Sequence, residues 1–275
     1  MRIATNVPSI SAQRSLSTTK MNLDNNLRKL SSGERITRAG DDAAGLAISE
    51  KIKSHVRGMR QAKRNAEDGI SMIQTSEGAL SEVSNMIIRL RELAIQAASD
   101  TVGDTERAFT DKEFQQLKDE IERISKSTEF NGSKLLDGTT GVMELQIGIH
   151  NDPWADRLRY DGTEMDSTLN ALGIQEQTVI NKVSAQNSLK SLDNSLVRIN
   201  GMRAEMGALQ NRLNSVVNTL GINDENLSAA NSRIRDVDVA YETADMTKNN
   251  ILVQSGVSVL SQANQSQQMA LKLIG

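Results

Sequence analysis

Residues Asp42–Ala98 read DAAGLAISEKIKSHVRGMRQAKRNAEDGISMIQTSEGALSEVSNMIIRLRELAIQAA. Every seventh residue from Ile52 is apolar: Ile52, Met59, Ala66, Ile73, Leu80, Ile87 and Ala94. Charged side chains such as Lys53, Arg57, Arg60, Lys63, Glu67, Glu82, Arg89 and Glu92 lie around them. An unbroken period of seven without proline predicts one long helix that needs a partner helix. At about 1.5 Å per residue it would run about 80 Å. Second apolar positions sit four residues on early (Val56, Ile70) and three on later (Val83, Leu90, Ala97). The buried seam therefore winds around the helix, which predicts more than one neighbour. Gly58, Gly69 and Gly78 would each cost such a helix about 1 kcal/mol relative to alanine. They read either as places of close helix approach or as tolerated surface glycines.

The bulk composition points the same way. The chain has 275 residues, of which only 2% are aromatic. Phe109, Phe114, Phe130, Trp154 and Tyr160 fall in the middle, so only the middle has the side chains of a thick core. Elsewhere Leu, Ile, Val, Met and Ala form stripes, the pattern of thin helical bundles. Net charge is −3 but uneven: residues 1–40 carry +5 and residues 99–176 carry −9. The basic end has no aromatics and no clustered arginine run, which disfavours nucleic-acid binding. Cysteine is absent, so there are no disulfides, thiolate nucleophiles or cysteine metal sites. No apolar run approaches the roughly 20 residues that cross a bilayer, and the N-terminus lacks a signal-peptide core, so the default expectation is a cytoplasmic protein without membrane insertion.

The two ends look alike. Residues 1–40 carry a thin stripe of Ile3, Val7, Ile10, Leu16, Leu23, Leu27 and Leu30 over a polar face. Ordering backbone costs about 1–2 kcal/mol per residue, more than a few exposed leucines return. This segment is expected to stay disordered until it finds a partner. Ser31–Glu34 and Ala39–Asp42 break the pattern, and Asp41 or Asp42 would cap the long helix. Pro8 would delay the start of the first helix. After a turn at 99–104, a shorter helix with Phe114, Leu117, Ile121 and Ile124 on one face should run back along the long one. Residues 130–161 change period. Asn131-Gly132 and Asp137-Gly138 are turn dipeptides, and Met143, Leu145, Ile147 and Ile149 alternate as a half-buried strand with a short return at Leu158 and Tyr160.

The heptad returns with Leu192, Ile199, Met206, Leu213 and Leu220, flanked by Leu189, Leu196 and Leu209. Gly221–Asp224 reads as a break or kink. Helix then resumes, with Met246, Val253, Val257, Leu260, Leu271 and Ile274 on its stripe. The predicted fold is mainly α: a long antiparallel helical bundle or coiled coil folded back on itself, with a small β-hairpin region in the middle. Residues 1–40 and 235–275 would pair as terminal helices, and 41–234 would form an outer helical domain with β structure at about 130–161.

No constellation for catalysis is present. His55 sits among Lys53, Arg57 and Arg60 on a solvated face. His150 lies at a turn with Asp152 near, which is too few ligands for a metal. There is no nucleophile elbow, phosphate loop or paired-histidine metal motif, and no cofactor is implied. Asp41-Asp42 and Asp236-Val237-Asp238 read as capping or solvated acids rather than a calcium loop.

Several stretches together resemble bacterial flagellin. They are Arg2-Ile3-Ala4-Thr5-Asn6, Leu30–Ile36, Ala39–Ile48, Arg89–Gln96, Phe130-Asn131-Gly132 with Leu135–Gly138, Gln146-Ile147-Gly148, Ser232–Asp238 and Gln262–Gln265. The resemblance implies a non-enzymatic subunit of a helical motility filament, a homo-polymer whose terminal helices form an inner tube and whose long helices form an outer one. It implies a short form without large outer domains, and a hairpin near Gln146–Tyr160 of the kind linked to protofilament switching. Asn151-Asp152-Pro153-Trp154 departs from the family pattern. The resemblance also implies unfolded export by the flagellar type III route, which replaces the cytoplasmic default with a secreted filament, extracellular and bare, sheathed or periplasmic. Implied partners are cap and hook-associated proteins, an export chaperone for the C-terminal segment, and an innate-immune Toll-like receptor at Arg89, Leu93 and Glu113. The rival readings are a hook–filament junction protein, which is similar at its ends, and a coiled-coil signalling rod, which should lack the β middle.

Overall fold

A computed structural model describes residues 5–272 of the chain. In order, the elements are α1 (Val7–Ser32), α2 (Ala43–Ala97), α3 (Asp104–Ser127), β1 (Glu129–Phe130), β2 (Ser133–Lys134), β3 (Val142–Gln146), β4 (Arg157–Asp161), α4 (Leu169–Leu172), α5 (Lys182–Arg235) and α6 (Val239–Lys272). The fold is mainly α, with two small antiparallel sheets in mid-chain. Two compact units are present, Met1–Val56 with Glu225–Gly275, and Arg57–Asp224. Their boundaries fall inside α2 and α5, whereas the sequence suggested divisions near residues 40 and 235.

The second unit holds the apolar core. Ala66, Ile73, Leu80, Ile87 and Ala94 of α2 are buried, as are Leu192, Ile199, Met206 and Leu213 of α5. The ion pairs Arg91–Asp193, Glu77–Arg203 and Arg60–Asp224 show the two helices running antiparallel. Phe114 and Ile121 of α3 complete the layer, so α2 has more than one helical neighbour, as its winding seam requires.

Where apolar packing stops, buried cations satisfy orphan carbonyls. The Arg107 guanidinium donates to Ala97 O and Ser99 O at 2.9 Å each, closing the C-terminus of α2. Lys118 Nζ donates to Gln175 O at 2.7 Å and Gln177 O at 2.9 Å, fixing the irregular chain after α4. Burial lowers the Lys118 pKa, opposed by Asp111 and Asp119.

The β region is tighter than its sequence suggests. Asn131 and Gly132 both have positive φ, 49° and 81°, and turn the chain between β1 and β2. Strand β3 was expected to run through Ile149 but ends at Gln146, paired with Arg157. Beyond it, the Ile147 and Gly148 N–H groups both donate to Asp156 O, at 2.8 and 3.1 Å, so regular alternation gives way to a bulge-like turn. The hairpin lies directly on α2. A Cβ on Gly69 would meet Leu145 Cδ1 at 2.7 Å and one on Gly58 would meet Ile149 at 3.0 Å, while Gly78 faces open space. The first two glycines therefore admit the hairpin rather than a second helix backbone, and the third is a surface glycine.

The expected break at Gly221–Asp224 is absent, for α5 is continuous across it. Asp224 is bonded by Arg60 Nε at 3.0 and 3.2 Å, and Leu220 is buried. Such anchors offset the roughly 1 kcal/mol a helical glycine costs.

Tyr160 is the largest fully buried side chain, and its hydroxyl donates to Leu135 O at 2.7 Å. Burial pushes its pKa from the ordinary 10.0 up to about 12, partly opposed by Ser76. The fold favours the neutral phenol, so this contribution to stability is intact below the ordinary value and is lost as pH rises through the folded one. In an alkaline titration, a late tyrosinate absorbance step near pH 12 should coincide with loss of helical circular dichroism. Ionisation of both tyrosines near the ordinary value, with helix retained, would contradict this packing.

Candidate assembly interface

The first unit pairs the two ends of the chain antiparallel. Asn6 Nδ2 donates to Ala263 O at 3.2 Å, and Lys29 Nζ lies 3.5 Å from Glu242. Between them, a Cβ on Gly256 would meet Leu16 Cδ1 at 3.2 Å. Asn6 caps α1 by accepting the Ser9 N–H at 3.1 Å, and Pro8 falls in the first turn, where a missing N–H costs nothing. The proline therefore opens the helix and does not delay it. Asp238 caps α6 in the same way, accepting from Ala240 and Tyr241.

A polar knot joins α1, α5 and α6. Gly33 turns α1 off at φ +71°. Arg35 N then donates to Arg235 O at 2.6 Å, and Val237 N to Gly33 O at 3.0 Å. The Arg235 guanidinium bonds Glu50 and reaches Glu34 at 2.9 Å, and these two partners raise its pKa. Asp42 caps α2 through the Gly45 N–H at 2.8 Å. Asp41 instead gathers Thr37 and Arg38, and the Thr37 hydroxyl is the main influence holding its carboxyl below the usual range.

The helix pair itself is unfinished. Asn26 is the one buried side chain of α1, and Glu242 is the corresponding buried side chain among the described residues of α6. In its hydrogen-bonding orientation the Asn26 amide accepts the Met246 N–H at 3.1 Å and donates to Asn22 O. Leu16, Leu23, Leu30, Val253 and Leu260 are half-buried. Val7 and Ile10 are each 59% exposed, and Leu27 and Val257 about half. Ile3 and Ile274, and the side chain of Leu271, lie outside the described residues. A polar pair in the seam specifies register but supplies little apolar burial. At roughly 25 cal/mol per Å², the exposed part of the stripe, at Val7, Ile10, Leu27 and Val257, has hydrophobic free energy still to gain. A cleft of about 440 Å³ lies between the helices, lined by Leu16, Leu252 and Val259 among small polar residues.

The remaining site residues fall in two groups. Of the outer-helix positions, Ile73, Leu80, Ile87, Leu192, Ile199, Met206 and Leu213 are buried, while Ile52 and Met59 are half-buried. Arg89 and Glu113 meet on the surface of the second unit, with Nε and Nη2 at 3.0 and 2.9 Å from Oε1. Leu93 does not join them, because its side chain is 2% exposed and packed in the core. Among the described residues there is no group of three acidic or imidazole side chains placed to hold a metal, and no helix long and apolar enough to cross a membrane.

Sequence reasoning missed Asn26, Glu242, Arg107 and Lys118. Asn26 had left a trace: it stands three residues after Leu23, where the stripe calls for an apolar side chain.

Comparison with known proteins places both ends of the chain. Residues 3–140 match the model of the bacterial flagellin N-terminal helical region, and residues 189–274 that of the C-terminal helical region. Flagellin of Halalkalibacterium halodurans is 43% identical over 274 residues, covering the whole of both chains. The flagellar filament 33 kDa core protein of Treponema phagedenis is 42% identical over 288 residues, again covering both chains entirely. Among solved structures, Bacillus cereus flagellin is 32% identical with a TM-score of 0.51, covering 57% of this chain and 88% of that one.

The polar knot gives the first test. Arg235→Met strips Glu34 and Glu50 of their shared cation, a loss of about 1.5–3 kcal/mol for charged hydrogen bonds. Faster amide exchange across α1 and α6 is expected, with the α2–α5 core protected as before. Unchanged protection of the terminal helices would show that the knot does not hold them.

Proposed function

The chain belongs to the bacterial flagellin family and is a structural subunit of the bacterial flagellar filament, and we propose that its terminal helices are the polymerising element. The observation that carries this reading is the apolar stripe of the first unit, left half in water on a pair of helices that buries only polar side chains. Copies of the same chain offer the matching stripe. A non-closing, head-to-tail contact between identical subunits builds a helix and not a ring. Full-length similarity to flagellins favours this over a hook–filament junction protein.

On this reading, the terminal helices α1 and α6 complete their apolar burial only in the polymer. Polymer contacts in the inner tube fall to Ile3, Val7, Ile10, Leu16, Leu23, Leu27, Leu30, Val253, Val257, Leu260, Leu271 and Ile274. The same marginal ends suit unfolded export through the flagellar type III route to an extracellular filament, with a chaperone holding the C-terminal stripe before export and cap and hook-associated proteins meeting it afterwards. A chain without cysteine suits that passage. For a Toll-like receptor, the available surface is the exposed Arg89–Glu113 pair, with Leu93 serving it only from beneath.

Substituting Leu260→Asp tests the reading directly. The variant subunit should unfold at the parent's denaturant midpoint, because the apolar core lies in the other unit. It should fail to form filaments by electron microscopy and sedimentation at concentrations where the parent does. Filaments of normal length from Leu260→Asp, or from a chain trimmed of 1–40 and 235–275, would refute the assignment of polymerisation to the ends.

A further inference from the structure

Trp154 is the single tryptophan of the chain and is 84% exposed. It stands at the tip of the β3–β4 hairpin on a turn that is unusually well tied. Asp152 Oδ1 accepts the N–H groups of Trp154 and Ala155 at 2.8 and 3.1 Å. Asp156, itself 8% exposed, accepts the Asp152 N–H through Oδ2 at 3.0 Å and returns its own N–H to Asp152 O at 3.0 Å. Gly148 makes room for it, since a Cβ there would sit 1.7 Å from Asp156 Oδ1. The indole is thus presented to solvent on a fixed backbone, and its binding would cost little ordering entropy. Tryptophan is among the residues enriched at the energetic hot spots of protein interfaces.

The same hairpin walls a cleft of about 480 Å³ in the second unit. Met59, Ile147, Ile149, Val216 and Leu220 give it an apolar lining, with Arg212 in its wall. A dry cavity of about 150 Å³ already takes a benzene ring, so an indole fits with room to spare. Arg212 is exposed and makes no ion pair among the described residues. A guanidinium over indole is the most favourable cation–π combination. Beside Trp154, the Asp152 carboxylate is held in its ionised form by the two N–H groups it caps. The knob is an aromatic ring flanked by an anion, and the cleft has an apolar floor with Arg212, Asp156 and His150 in its wall, so the Arg212 side of the cleft is the one that suits the Asp152 side of the knob.

We propose that Trp154 of one copy seats in the Met59–Ile147–Leu220 cleft of a neighbouring copy, with Asp152 of the first facing Arg212 of the second. The inference rests on the filament role and adds to it a contact outside the terminal helices. Each copy carries both halves, so the contact is head-to-tail and can repeat from copy to copy along a filament.

Fluorescence excited at the red edge of the tryptophan band, where the two tyrosines do not absorb, reports on this residue alone. In dilute subunit the emission should be that of a solvated indole, freely quenched by acrylamide. After assembly, in filaments isolated by sedimentation, emission should shift to the blue and the quenching constant should fall about five-fold, as for a group with most of its surface covered. Sedimentation reads assembly and quenching reads the contact, so filaments that form with Trp154 still freely quenched overturn the proposal and leave the filament role standing. Trp154→Cys with Thr219→Cys supplies a second readout in a chain that has no cysteine of its own. Oxidised filaments should then dissolve into a ladder of disulfide-linked oligomers, and neither single variant should give one. A disulfide formed inside one chain, or no crosslink in intact filaments, overturns the proposal.

Discussion

The structure depends on the burial of one seam, where the seven-residue ladder of α2 meets that of α5. From Ala66 to Ala94 and from Leu192 to Leu213 these side chains leave water, and almost every other feature is arranged around them. Because the chain is poor in aromatics, no other cluster among the described residues has comparable burial. α3 closes one flank, and the β3–β4 hairpin settles over the two glycines that lack a side chain to hold it off. Arg107 and Lys118 are drawn in at the places where the seam ends and backbone carbonyls would otherwise go unpaired.

Against that core, the terminal pair shows what a helix pair looks like when its apolar burial is withheld. α1 and α6 are long, capped at their starts and joined to α5 by the Arg235 knot, yet their seam hides an asparagine and a glutamate. These polar groups fix which residue faces which, and contribute alignment rather than cohesion. The leucines that would ordinarily close such a seam lie at its edges. This division lets one chain be a stable body and, at the same time, an incomplete part of something larger.

Much of this was legible in the sequence because a seven-residue period survives any tertiary context that keeps a helix against a helix. The α2 and α5 ladders, the α3 face at Phe114 and Ile121, and the return of the chain in a hairpin all followed from spacing. The errors arose where spacing is silent. Gly221 looked like a break because a glycine among polar residues is one in most loops; the distant Arg60 that anchors Asp224 cannot be seen locally. Leu93 carried a role by resemblance, but its position in the heptad also makes it core, and packing prevailed. Arg89 and Glu113, by contrast, meet across α2 and α3, in a register that the apolar spacing alone does not set. The strand that stops at Gln146 yields to Asp156, a residue whose importance lies in backbone hydrogen bonds that no hydrophobic pattern encodes.

If the terminal helices polymerise as proposed, their partly wetted leucines would tie the order of those helices to how many copies are nearby. For such a chain, mass action sets stability: the free energy gained from neighbours grows with the logarithm of their concentration. A diluted subunit would then loosen at its ends while its apolar core, in the other unit, stayed intact.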